Sequence, residues 1–166
     1  MVKKETKLQS KNNYVIKYTK LRGERRVNNQ DVKKGLEHLK TNGVRITPQR
    51  HAILTYLYQT MNHPTADEIY KALEGKFPNM SVATVYNNLR TFKDAGLINE
   101  LSFGDNSSRF DANMVHHYHI ICRNCNKIED FNYNCFTDLE KYVEQNSGFC
   151  VESHCVEIYG VCKDCQ

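Results

Sequence analysis

The residues best suited to chemistry lie between His116 and Asp130, in the stretch HHYHIICRNCNKIED. Three histidines, two thiols and two carboxylates share that short strand-turn-strand pattern. Such a density of soft and hard donors points to bound metal. His117 and His119 are two residues apart, so on a strand they share a face. Cys122 and Cys125 form a C-x-x-C, whose tight turn can present two thiolates to one tetrahedral ion. Folded as a hairpin, the stretch sets Cys122 opposite Lys127 and His119 opposite Asp130. Asp130 then joins the histidine face, in a second site separate from the thiols.

A second C-x-x-C, Cys162/Cys165, closes the sequence. Together Cys122, Cys125, Cys162 and Cys165 make a four-thiolate set that favours Zn²⁺ in a closed, structural site. The alternatives are a redox pair or free thiols. Seven cysteines is an odd number for a disulfide framework, and in a reducing compartment the spacing favours metal. Cys135, Cys150 and Cys155 lack ligand spacing and are expected as buried free thiols.

The candidate second site collects His63, Asp111, His117, His119 and Asp130. Imidazoles and carboxylates without thiol suit Fe²⁺ or Mn²⁺, and also Zn²⁺. His63 lies in a helical region, Asp111 at a junction, and the other three in the ligand hairpin. A metal bound by all five clamps two domains in one orientation, which makes a switch. Read alone, His63 is better taken as a histidine before proline in a turn, with no ligand role. His116 faces away from His117 and is left out. His154 is expected as a surface strand histidine. A catalytic centre, such as a zinc hydrolase or deaminase, is the competing class. It needs an open coordination position, and the H-x-E with P-C-x-x-C deaminase signature is absent. The reading is therefore not an enzyme.

Charge and periodicity describe what positions these residues. Residues 1–30 carry nine Lys/Arg against two Glu, a balance of +7. Residues 111–166 carry four against nine, a balance of −5. The acidic end holds the ligands, and the basic end suits a polyanion. Residues 1–30 read as a flexible basic extension, either an arm for a phosphate backbone or a tail without a role. A start of translation near Val27 is a further possibility. No apolar run reaches the ~20 residues that span a bilayer, and no signal-peptide core opens the sequence. The protein is expected to be cytoplasmic, with no membrane partner.

Three short helices are expected from Asp31 onward. Asp31 caps the first, and Gly43 stops it. Thr47-Pro48 starts the second, and Thr65 with Glu68 caps the third. A fourth helix, from Ser81 to about Ala95, buries Val82, Val85, Leu89 and Phe92. It presents Ala83, Tyr86, Asn87 and Arg90 on a second stripe. That stripe suits the major groove, because Arg and Asn match base edges and Ala or Tyr can contact a thymine methyl. A solvated polar face is the plainer alternative. A strand-turn-strand with its turn at Gly104-Asp105-Asn106 follows, completing a winged helix-turn-helix. A hinge at residues 112–115 leads to the ligand hairpin, a helix from about Cys135 to Gln145 and a strand from about Val151 to Val161. That small unit needs a metal staple, a partner subunit, or both. The expected class is α+β, with a basic extension (1–30), a DNA-binding winged-helix domain (31–111) and a small α/β metal-binding dimerisation domain (112–166).

GVRITPQRHAIL, HPTADEIYKAL, FPNMSVATVYNNLR, SSRFD, HHYHIIC with CNKIEDF, and EIYGVCKDC together resemble the ferric uptake regulator (Fur) family, most closely its peroxide-sensing branch. The resemblance runs from about Asp31 to Gln166. It implies a homodimeric, metal-dependent repressor that binds palindromic double-stranded operator DNA. It implies structural zinc on Cys122, Cys125, Cys162 and Cys165, and regulatory Fe²⁺ or Mn²⁺ on His63, Asp111, His117, His119 and Asp130. It further implies that Fe²⁺ and hydrogen peroxide oxidise His63 or His117, releasing the DNA. Tyr86 and Asn87 fall where such proteins touch bases, and Arg45 where a basic residue reaches the minor groove. Aspartate at 111 and 130 resembles the peroxide sensors, whereas glutamate there resembles the iron regulators. The alternative within the family senses iron, manganese or zinc itself. The basic extension and the extra thiols depart from the pattern, and the thiols leave a cysteine-oxidation route open.

Overall fold

The computed structural model describes residues 29–60, 62–102, 108–115, 117–131 and 137–166. The basic arm up to residue 28, the turn at Gly104-Asp105-Asn106 and Cys135 lie outside the described residues. The chain divides into two compact units, Met1–Val115 and His116–Gln166.

In the first unit, helices α1 (Asn29–Thr41), α2 (Pro48–Gln59), α3 (Ala66–Leu73) and α4 (Val82–Asp94) precede strands β1 (Asn99–Leu101) and β2 (Arg109–Asp111). Local chemistry sets most of the boundaries. The Thr47 hydroxyl accepts from Arg50 N at 3.1 Å, with Pro48 opening α2. Thr65 and Glu68 form the expected capping box on α3. Ser81 caps α4, with Thr84 completing a second box. Asp31, expected as a cap, instead lies within the first turn of α1, which begins two residues earlier. Its charge there still favours the positive end of the helix dipole.

The apolar faces close on one core that includes Leu39, Ile53, Leu57, Ile69, Leu89, Phe92 and Phe110. Helices α1 and α2 approach closely at Gly35, where a Cβ would meet the Tyr58 hydroxyl at 3.0 Å. Gly96, at φ 68, turns the chain out of α4. β1 and β2 pair antiparallel, with Asn99 opposite Asp111. Helices followed by that hairpin form the expected N-terminal winged helix-turn-helix.

In the second unit, β3 (Tyr118–Cys122), β4 (Ile128–Phe131) and β5 (Glu157–Gly160) form a sheet of order β4-β3-β5, with α5 (Thr137–Ser147) between β4 and β5 in sequence. The hairpin register is the expected one, His119 opposite Asp130 and Cys122 N donating to Lys127 O at 2.9 Å. β5 runs parallel to β3, with Cys122 opposite Gly160. It is much shorter than the expected Val151–Val161 strand, because the preceding residues make other bonds. Val151 N donates to the Glu144 carboxylate at 3.0 Å, and His154 is held by side chains. Cys150 and Cys155 are exposed rather than buried, since this small unit has little interior for them. No described helix is long and apolar enough to cross a membrane.

Candidate metal centres and nucleic-acid interface

The four C-x-x-C thiols converge within the second unit, every sulfur lying within 4.8 Å of the others. Cys122 ends β3, while Asn126 at φ 57 shapes the turn after Cys125. The parallel β5 delivers Cys162, and a short 3₁₀ turn, Lys163–Cys165, presents Cys165. The Cys125 and Cys162 sulfurs are 3.6 Å apart. A disulfide requires about 2.05 Å. Thiolates at about 2.3 Å from one tetrahedral zinc sit about 3.8 Å apart. The thiols therefore fit zinc.

The local electrostatics agree with that fit. Cys162 N–H donates to the Cys122 sulfur at 3.2 Å. With a further backbone donor at Cys125, this draws the Cys122 thiol down to about 6. The sulfurs of Cys162 and Cys125 push the Cys165 thiol up to about 12. Burial raises that of Cys162. Several thiolates crowded together repel one another, and a divalent cation relieves that repulsion.

The same unit gathers two imidazoles and a carboxylate without sulfur. His117 Nε2 lies 2.9 Å from His119 Nε2. Asp130 Oδ1 is 3.5 Å from the first and 3.6 Å from the second. Donors held at about 2.1 Å from one ion, at right angles, are about 3.0 Å apart, so the spacing suits a metal. Two histidines and one carboxylate with open positions are the donor set of non-haem Fe²⁺ sites. His63 and Asp111 belong to the first unit. Both are buried, with His63 Nε2 3.9 Å from Asp111 Oδ1. Asp111 ends β2, and His63 stands just before α3 with a left-handed backbone, φ 46.

On α4, Ala83, Tyr86, Asn87 and Arg90 are all exposed, opposite the buried Val85, Leu89 and Phe92. Arg90 makes a surface pairing with Asp94, at 4.0 Å. Arg45 is exposed in the stretch between α1 and α2.

Sequence reasoning missed Asn88, a buried amide on the inner side of α4. Its Nδ2 donates to Thr84 O at 2.7 Å, and its Oδ1 accepts from Arg50 Nε at 2.8 Å. Arg50 also donates to the Arg45 carbonyl. One guanidinium thus joins α2, α4 and the Arg45 stretch. The available signal was position: residue 88 falls on the buried stripe three residues after Val85. His154 is half-buried rather than a surface strand residue. Its Nδ1 lies 2.7 Å from Glu140 Oε1, and its ring stacks on Tyr118 at 5.6 Å.

Comparison with known proteins adds lineage to this geometry. The sequence matches the Ferric uptake regulator family over residues 41–159. It is 62% identical over 135 residues to the peroxide operon regulator of Bacillus subtilis (strain 168), covering 81% of this chain and 93% of that one. It is 55% identical over 136 residues to the peroxide-responsive repressor PerR of Staphylococcus aureus (strain USA300), covering 82% and 92%. Among solved structures it is similar to the Helicobacter pylori ferric uptake regulator Fur, described as having three functional metal binding sites. The TM-score is 0.75 at 26% identity, over 86% of this chain and 97% of that one.

Proposed function

This chain belongs to the ferric uptake regulator family, and on that premise we propose that it is a metal-dependent, peroxide-responsive transcriptional repressor acting in the cytoplasm. The observation that carries the reading is the two-histidine, one-carboxylate set of His117, His119 and Asp130, kept apart from four thiols in the same small unit. Its relatives named above as peroxide regulators support the same conclusion.

In this reading Cys122, Cys125, Cys162 and Cys165 hold structural zinc and staple the second unit. His63 and Asp111 complete the regulatory site with His117, His119 and Asp130, and the site takes Fe²⁺ or Mn²⁺. Residues 31–111 read DNA, while residues 112–166 bind metal and pair with a second copy. Ala83, Tyr86, Asn87 and Arg90 face the major groove of a palindromic operator, and Arg45 reaches the minor groove. The sheet face carrying Ile120 and Ile158, register partners on β3 and β5 that are 39% and 42% exposed, supplies apolar surface for a homodimer. Exposed Leu139 and Tyr142 on α5 add to it.

When bound, Fe²⁺ supplies reductive cleavage of hydrogen peroxide beside the ligand rings. His63 or His117 would be the ring that takes up oxygen. An oxidised imidazole is a poorer donor, so the five ligands no longer favour the DNA-binding arrangement, and the operator is released.

The test is operator binding by the Fe²⁺ and Mn²⁺ forms before and after peroxide, with peptide mass spectrometry. The expected result is loss of binding in the Fe²⁺ form alone, with added oxygen on His63 or His117. Oxidation confined to cysteines overturns the histidine chemistry. Binding that depends on metal but survives peroxide supports direct metal sensing instead.

A further inference from the structure

His63 adopts φ 46 and precedes Pro64. Side chains with a Cβ disfavour that region, and a following proline narrows the choices further. Such a conformation persists only where its surroundings hold it.

The second wing strand supplies the restraint. Arg109 Nη1 donates to the His63 carbonyl at 3.2 Å. Phe110 N donates to the Pro64 carbonyl at 3.0 Å, and Thr65 bridges Arg109 antiparallel. Arg109 is itself anchored, its guanidinium 3.7 Å from Glu68 Oε2 with the side chain 22% exposed. Glu68 is pinned in turn, accepting from Thr65 N at 2.7 Å in the α3 capping box. Two residues beyond Arg109 the same strand ends in Asp111, the carboxylate beside the His63 ring.

We infer that Arg109 is a positioning residue for the regulatory metal, holding His63 through its backbone carbonyl and tying that ligand to the wing strand β2. A guanidinium is always charged and has no lone pair for a metal, so its effect passes through His63. The inference rests on the reading of His63 as a regulatory ligand. In it the wing and the ligand loop form one mechanical piece, and a change at His63 is felt first at β2.

The experiment uses the full-length zinc-containing protein as Arg109→Gln, His63→Ala and the double variant, titrated with Mn²⁺. Arg109→Gln is expected to weaken Mn²⁺ roughly 10-fold or more, as outer-shell partners of metal ligands do, with zinc content unchanged. In the His63→Ala background the same substitution is expected to add nothing. The His63 ring is buried, so Arg109→Gln, assayed after chelation of the Mn²⁺, should speed its modification by diethylpyrocarbonate, read on the His63 peptide. Parental Mn²⁺ affinity together with a parental modification rate in Arg109→Gln overturns the inference. So does an equal further loss in the His63→Ala background, which marks a general structural role. Parental affinity in His63→Ala alone sinks the ligand reading on which the inference rests. Arg109→Lys, which keeps the charge beside Glu68, carries the same cycle if the glutamine variant fails to fold.

Discussion

His119 stands directly opposite Asp130 in the antiparallel pairing of β3 and β4, its Nε2 3.6 Å from the carboxylate. Three residues further along β3, Cys122 closes the same hairpin through Lys127 and turns its sulfur toward the other thiols. One hairpin therefore carries two donor sets, one of sulfur and one of nitrogen and oxygen.

That separation makes His117 a clean probe. His117→Ala removes an imidazole without touching a thiol. Metal-dependent operator binding should be lost, while zinc content and dimer mass stay at parental values. Metal analysis alongside a mobility-shift assay checks this. Zinc lost together with operator binding would show that the two sites are not separable.

The exposed stripe on α4 makes a second claim. Asn87→Ala and Arg90→Ala should each weaken operator binding by about 1–3 kcal/mol if these side chains read bases. The exposed pairing of Arg90 with Asp94 contributes little to the fold. Unfolding curves should therefore barely move. Parental operator affinity in both variants would leave the stripe as a solvated face.

Zinc binding should strengthen as pH rises. Cys122, drawn down to about 6 by backbone donors, is already a thiolate at neutral pH. Cys165, pushed up to about 12 by its neighbouring sulfurs, must lose a proton when zinc arrives. Zinc binding then releases protons at neutral pH, and acid reverses it by reprotonating the thiolates. A chromogenic chelator, read across a pH series, should take zinc more readily toward the acid end. Retention that does not vary with pH would count against thiolate ligation.

The cap of α4 offers a stability test. Ser81 is exposed, and its hydroxyl accepts from Thr84 N at 3.1 Å. Ser81→Ala should cost about 1 kcal/mol of unfolding free energy, measured by denaturant titration. No loss would mean that water satisfies the freed Thr84 N–H.

Much of this was legible because it is local. Thr47-Pro48, Thr65 with Glu68, and the spacing of Val85, Leu89 and Phe92 act over one or two helical turns. Physical chemistry at that range is written in adjacent residues. The His119–Asp130 register follows from a short turn that leaves few ways to pair. The misplaced features answer to distant partners. His154 left its expected strand because Glu140 and Tyr118 hold it. Asn88 is buried because Arg50, far away in sequence, meets its amide.

The sequence by itself determined which donors exist, which of them share a strand face and which helix shows a polar stripe. Those follow from residue type and the fixed periods of helix and strand. Only the tertiary structure decided that β5 lies parallel against β3, bringing Cys162 N to 3.2 Å from the Cys122 sulfur. Only it decided that Arg109 reaches back to the His63 carbonyl. Contacts between residues so far apart in the chain depend on closing long loops around a shared interior, and no local pattern records that balance.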